Sequence, residues 1–155
     1  MKKLETEYLI IGSGLVGMAF ADTLLTETDA NIVIVDRYAN PGGHWNMAYP
    51  FVTLHQPSAY FGVSSKELSR GIIDTIGLNK GMNDLATGSE LLAYFDEVMR
   101  QRFLASGRVR YFPMCEYKGE GIFTSKSQNN TTSLHLSIRT IIKQKTNRFR
   151  RHFPK

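Results

Sequence analysis

An α/β fold with a parallel sheet, built on a nucleotide-binding βαβ unit, is predicted by three observations. Residues 8–11 are an apolar run followed at once by Gly12, Gly14 and Gly17 in G-x-G-x-x-G spacing. A stretch of helical periodicity comes next, and a second apolar run, Ile32–Val35, then ends in Asp36, 24 residues after Gly12. That order is what a dinucleotide requires of a chain.

Each element has its own reason. Residues 8–11 read as a buried parallel strand, because a short apolar run flanked by glycine suits a strand covered on both faces. The three glycines serve a tight turn, a close approach to a pyrophosphate, and the packing of helix on strand. A helix starting near Leu15 aims its free N–H groups and the positive end of its dipole at the phosphates. Leu15, Ala19, Phe20, Thr23 and Leu24 recur at helical spacing, and Asn31 introduces the β-branched second strand. Asp36 is placed to accept hydrogen bonds from ribose hydroxyls; the plainer reading is a solvated charge at a strand end.

Beyond this unit, residues 57–86 show no sustained period and read as a loop-rich excursion with short helical turns. A helix follows, with Ser89 as N-cap, Glu90 in the first turn, apolar positions Leu91, Leu92, Phe95, Val98, Met99 and Phe103, and Gly107 as the left-handed stop. Val109–Phe112 reads as the third parallel strand, and residues 116–123 as the opening of a hairpin or meander.

Pro41-Gly42-Gly43-His44-Trp45, five residues beyond Asp36, and the run from Tyr49 to Ser58 carry a further resemblance. Here the chain resembles the FAD-binding N-terminus of flavin-dependent oxidoreductases with two dinucleotide-binding domains, most of all the flavin monooxygenase-like group. The resemblance covers roughly residues 4–123 and is specific in 8–58. It implies a first unit that binds the ADP half of FAD, with Gly42 and Gly43 as a second close-approach pair, Trp45 as the following aromatic, and Arg37 against the adenosine. The family usually has Glu where this chain has Asp36, one methylene shorter. The cofactor-binding set so implied is Gly12, Ser13, Gly14, Leu15, Gly17, Asp36, Arg37, Gly43, His44 and Trp45, with FAD as cofactor and NADPH or NADH expected for full-length members. No catalytic residue is assigned. A Pro-Gly turn with an aromatic plugging the core is the plain alternative for residues 41–45. His44 and His55 could each hydrogen-bond an isoalloxazine or relay a proton, or be ordinary loop or core histidines.

Composition bounds the rest. A chain of 155 residues with 42% hydrophobic content can bury one core. The apolar runs fall far short of the ~20 residues that span a bilayer, and Glu5 and Glu7 interrupt what would otherwise resemble an export signal. A cytoplasmic protein is expected. Cys115 is the sole cysteine, which excludes an internal disulfide and a Cys-x-x-Cys redox pair, and no His or Cys spacing suggests a metal.

The division expected is a partial FAD/NAD(P)-binding domain over 1–125 and a basic tail over 126–155. The tail holds eight Lys or Arg and no acid, whereas residues 1–125 hold eleven bases and fourteen acids. With Phe149 and Phe153 its only aromatics and no recognition motif, the tail reads as solvated and weakly ordered and not as a nucleic-acid binder. Residues 134–142 alternate and are its best candidate for order, as an edge strand. The nicotinamide-binding unit and the segment that closes over the flavin are missing from what the resemblance implies. The expected function is therefore the FAD-binding portion of a flavin-dependent, NAD(P)H-using oxidoreductase, inactive alone, whose tail reflects truncation, a shifted frame or a natural short form. The alternative is a non-catalytic nucleotide-binding or interaction module with a basic tail. No protein partner is implied.

Overall fold

The computed structural model describes residues 2–125 and 133–143. Strand β1 (Lys2–Ile11), helix α1 (Leu15–Glu27) and strand β2 (Ile32–Val35) form the expected βαβ unit, with β1 and β2 parallel and in register from Tyr8 opposite Ile32 to Ile11 opposite Val35. All four residues of β2 are buried because both sheet faces are covered. Ile32 and Ile34 join the core shared with α1. Val33 and Val35 face a second cluster with Leu9, Cys115 and Phe123.

The phase of α1 differs from the sequence reading. Its buried face is Gly17, Met18, Ala21, Asp22, Leu24 and Leu25, while Leu15, Ala19 and Phe20 are only partly covered and Thr23 is exposed. Gly17 sets that phase: a Cβ there would overlap the carbonyl oxygen of Gly12, so the helix packs on the strand end along its one bare position. The same phase buries Asp22 completely. Its carboxylate accepts from the Ser65 amide (2.8 Å), the Ser65 hydroxyl (2.6 Å) and Arg102 Nε (3.1 Å), which satisfies the buried charge and ties α1 to two later segments.

Residues 57–86 carry a short 3-10 turn, Ser58–Tyr60, and the two-residue strands β3 (Gly62–Val63) and β4 (Lys66–Glu67), which pair with each other. Helix α2 (Gly88–Glu97) is capped two residues before the expected Ser89. Thr87 caps it, because only from Thr87 does Glu90 fall at the third helical position, where its side chain reaches back to the Thr87 amide while the Thr87 hydroxyl accepts from the Glu90 amide. The helix widens to π geometry over Val98–Phe103, tightens to 3-10 over Leu104–Ser106, and stops at Gly107 with φ +69° as expected.

Strand β5 (Val109–Phe112) lies parallel to β2, and β6 (Cys115–Gly119) and β7 (Ile122–Ser125) form the expected antiparallel pair. The largest departure is β8 (Ser133–Lys143). Assigned from sequence to a weakly ordered tail, with at best an edge strand, this segment runs parallel to β1 along its length and antiparallel to β7, in the middle of a six-stranded sheet of order β5-β2-β1-β8-β7-β6. Four strands, β5, β2, β1 and β8, are parallel, the signature of a Rossmann-like sheet. The remaining tail residues, 126–132 and 144–155, lie outside the described residues.

Candidate functional site

The carboxyl ends of β1 and β2 meet α1 at two turns. The first begins at Gly12, whose φ of +103° only glycine adopts without strain and whose amide donates to the Val35 carbonyl at 2.9 Å. It ends at Gly14, the N-cap of α1, which is extended and carries no capping side chain; the first turn of the helix holds no acid. The first bond within the helix, from the Met18 amide to the Gly14 carbonyl at 3.0 Å, leaves the earlier amides for another acceptor.

The second turn is Gly42-Gly43, with φ of +118° and +58°. The Gly42 amide donates to the Ser13 carbonyl at 2.8 Å, and a Cβ on Gly43 would stand 3.0 Å from the Gly14 Cα. A Cβ on Gly42 would come within 2.7 Å of Leu92, so α2 presses the second turn from behind. The Asn46 side-chain amide reaches the carbonyls of Asn40 (3.2 Å), Pro41 (3.3 Å) and Gly43 (3.1 Å) and holds the turn's shape. Two glycine turns in contact with each other and an uncapped helix start thus make one bare-backbone surface, with the polarity that a diphosphate fits.

Asp36 supports the first turn from within. It is only 4% exposed, and Oδ2 accepts from the Ser13 amide (2.5 Å) and hydroxyl (2.6 Å) while Oδ1 accepts from the Tyr38 amide (2.9 Å). The Ser13 hydroxyl spends its proton on Asp36, so the Tyr111 hydroxyl, 3.3 Å away, donates to it. Burial, with the Asp36 charge adding to it against the pull of the Ser13 bond, pushes the Tyr111 phenol up to about 12 and keeps it a donor across the neutral range.

Of the residues predicted from sequence, the structure brings together Gly12, Ser13, Gly14, Leu15, Gly17, Asp36 and Gly43. Trp45, half-buried in the 3-10 turn Gly43–Met47, packs on the core and lies 3.8 Å from where a Cβ on Gly88 would be. His44 is exposed beside the Trp45 ring, at 5.2 Å between centroids. Arg37 is exposed over the Tyr38 ring, 5.0 Å from its centroid, with Nη2 donating to the Tyr38 hydroxyl. His55 is exposed. Sequence reasoning missed Tyr111, Tyr38 and Asn46. Tyr111 lies in the third strand, and only the parallel pairing of β5 with β2 brings it to Ser13. Asn46 carried a weak signal, an amide following a Gly-Gly turn. Among the described residues no cluster of His, Cys, Asp and Glu suits a metal, and no helix is long and apolar enough to cross a membrane.

Residues 10–70 match the model of the NAD(P)-binding Rossmann-like domain. An uncharacterized protein of Mycobacterium tuberculosis is 57% identical over 122 residues, covering 79% of this chain and 23% of its own length. The chain therefore spans less than a quarter of that relative. The fold is shared with a flavin-containing monooxygenase from Stenotrophomonas maltophilia (TM-score 0.58, 18% identity, 93% of this chain and 38% of that one). It is equally shared with a bacillithiol disulfide reductase from Staphylococcus aureus (TM-score 0.59, 17% identity, 94% of this chain and 39% of that one).

Proposed function

We propose that this chain, which carries a Rossmann-like unit shared with part of the length of flavin monooxygenases and disulfide reductases, binds the ADP half of FAD. In this reading it is the FAD-binding portion of a cytoplasmic, NAD(P)H-using oxidoreductase of monooxygenase type. The observation that carries it is the locking of the two glycine turns around the uncapped start of α1, through the Gly42 to Ser13 bond and the bare approach of Gly43 to Gly14. Gly14, Leu15 and Gly17 offer the diphosphate main-chain donors and the helix dipole, while Gly12 and Ser13, whose amides are held by Val35 and Asp36, shape the turn. Gly42 and Gly43 brace the first turn and extend its surface, Asp36 supports the turn, and Arg37 and His44 border the adenosine. FAD, when bound, supplies two-electron redox chemistry, and the protein supplies orientation and exclusion of water.

A second reading, a non-catalytic nucleotide-binding module, is favoured for the isolated chain by one observation: it spans 23% of its M. tuberculosis relative and 38% of the flavin-containing monooxygenase. A hydride donor must be held rigidly against the flavin, and misplacement by ~1 Å costs ~100-fold in rate. The test is titration with FAD, ADP and NADPH, then NADPH oxidation at saturating FAD. FAD is expected to bind in preference to NADPH, with oxidation no faster than with free FAD. Preference for NADPH overturns the FAD assignment, and oxidation well above the free-flavin rate overturns the inactivity of the isolated chain.

A further inference from the structure

One side chain shapes the second glycine turn from inside, and we infer that this residue, Asn46, is a positioning residue for the nucleotide. By fixing the peptide plane between Pro41 and Gly42 it keeps the Gly42 amide on Ser13, and so sets the joined turns that meet the diphosphate. The inference rests on the nucleotide reading above.

Asn46 is half-buried, and its side-chain nitrogen lies 3.2, 3.3 and 3.1 Å from the carbonyl oxygens of Asn40, Pro41 and Gly43. Three acceptors around one atom admit only a donor, so the nitrogen and not the oxygen of the amide faces the turn, its two hydrogens shared among three carbonyls. No described peptide bond is cis. In a planar trans peptide the carbonyl and the following amide point in opposite directions. Pinning the Pro41 carbonyl to Asn46 therefore aims the Gly42 amide the other way, where it donates to the Ser13 carbonyl at 2.8 Å. The next two carbonyls are held as well, Gly42 by the Trp45 amide at 3.2 Å and Gly43 by Asn46. Glycine leaves these planes free to rotate unless something outside it fixes them. On its other side Gly42 meets only apolar groups, for a Cβ there would stand 2.7 Å from Leu92 and 3.2 Å from Phe95. Asn46 supplies the polar hold that those neighbours cannot.

The test measures binding of ADP and inorganic pyrophosphate to the full chain as wild type, Asn46→Ala and Asn46→Asp, with amide exchange at Gly42 as a second readout. Asn46→Ala is expected to weaken both ligands by a similar factor, about threefold to tenfold, the equivalent of one ordinary hydrogen bond. It should also speed exchange at Gly42 while Gly12, bonded to Val35, stays as in wild type. Asn46→Asp sets a carboxylate against three carbonyls and should weaken both ligands by about tenfold or more at pH 8. Protonation gives the new carboxyl one donor, so its deficit relative to wild type should shrink by about threefold or more at pH 5. Comparison with wild type at each pH cancels what ADP, His44 and Asp36 contribute, since both proteins share them. Unchanged pyrophosphate affinity in Asn46→Ala overturns the inference alone, because a merely structural role would lower thermal stability and leave that affinity intact. A deficit in Asn46→Asp that stays constant from pH 8 to pH 5 overturns it equally. Should either variant fail to fold, the other decides. Absence of ADP and pyrophosphate binding by wild type overturns the nucleotide reading and the inference together.

Discussion

The Gly42 amide donates to the Ser13 carbonyl at 2.8 Å, so two turns 29 residues apart in the chain behave as one surface. Their separation is fixed at the next residue, where Gly43 at φ +58° would bring a Cβ to 3.0 Å from the Gly14 Cα. Gly43→Ala should therefore cost about 1–3 kcal/mol of stability from the left-handed backbone. It should also weaken FAD by about tenfold or more as the turns are forced apart. Denaturant titration and fluorescence titration with FAD read the two effects separately.

The capping box of α2 predicts a pH signature. Hydrogen bonds from the Thr87 amide and hydroxyl, helped by Arg70, hold the Glu90 carboxyl below its ordinary value. A depressed folded-state pKa contributes stability that is present above the ordinary carboxylate range and is lost as pH falls through the folded value. Thr87→Ala is expected to cost about 1 kcal/mol at neutral pH, and the gap from wild type should narrow in acid as Glu90 protonates. A gap constant from pH 7 to pH 3 would contradict this.

Asp22 is the strongest polar tie between α1 and the rest of the chain. Replacing it with Ala strands the Ser65 amide and the partly exposed Arg102, and should cost about 3 kcal/mol. Arg102→Ala, whose side chain is 39% exposed, should cost about 1 kcal/mol or less. Equal costs would mean that the ion pair, and not the bonds to Ser65, dominates.

Strand β8 makes the tail consequential. Because β8 pairs with β1 from Leu134 opposite Lys2 to Lys143 opposite Ile11, amide exchange across 134–142 should be slow, and a chain ending at 132 should lose several kcal/mol. Fast exchange there, with deletion tolerated, would return the segment to the solvated tail that its composition suggests.

Local signals carried the sequence reading a long way. Val109–Phe112, Ile32–Val35 and the Gly107 stop lie where periodicity and glycine placed them, because each is determined by its nearest neighbours. Thr87 was legible and overlooked: T-x-x-E stands in the sequence, and the box is specified by that spacing alone. The phase of α1 was hidden, since it depends on Gly17 meeting the Gly12 carbonyl, a contact between turn and helix that no window of periodicity contains. β8 was masked by its charge context, eight bases with no acid, which outweighed its alternation. In the site, the glycines could be read residue by residue. Tyr111 could not, because its place at Ser13 is a property of sheet order.

The central claim is that a diphosphate binds against the joined turns at residues 12–17 and 42–43, and amide NMR during an ADP titration tests it most directly. The largest shifts should fall on the amides of Ser13, Gly14, Leu15, Val16, Gly17 and Gly43, and Gly14→Val, which crowds the backbone against the phosphates, should abolish them while the protein stays folded. Shifts centred elsewhere, or a pattern unchanged by Gly14→Val, would contradict the account.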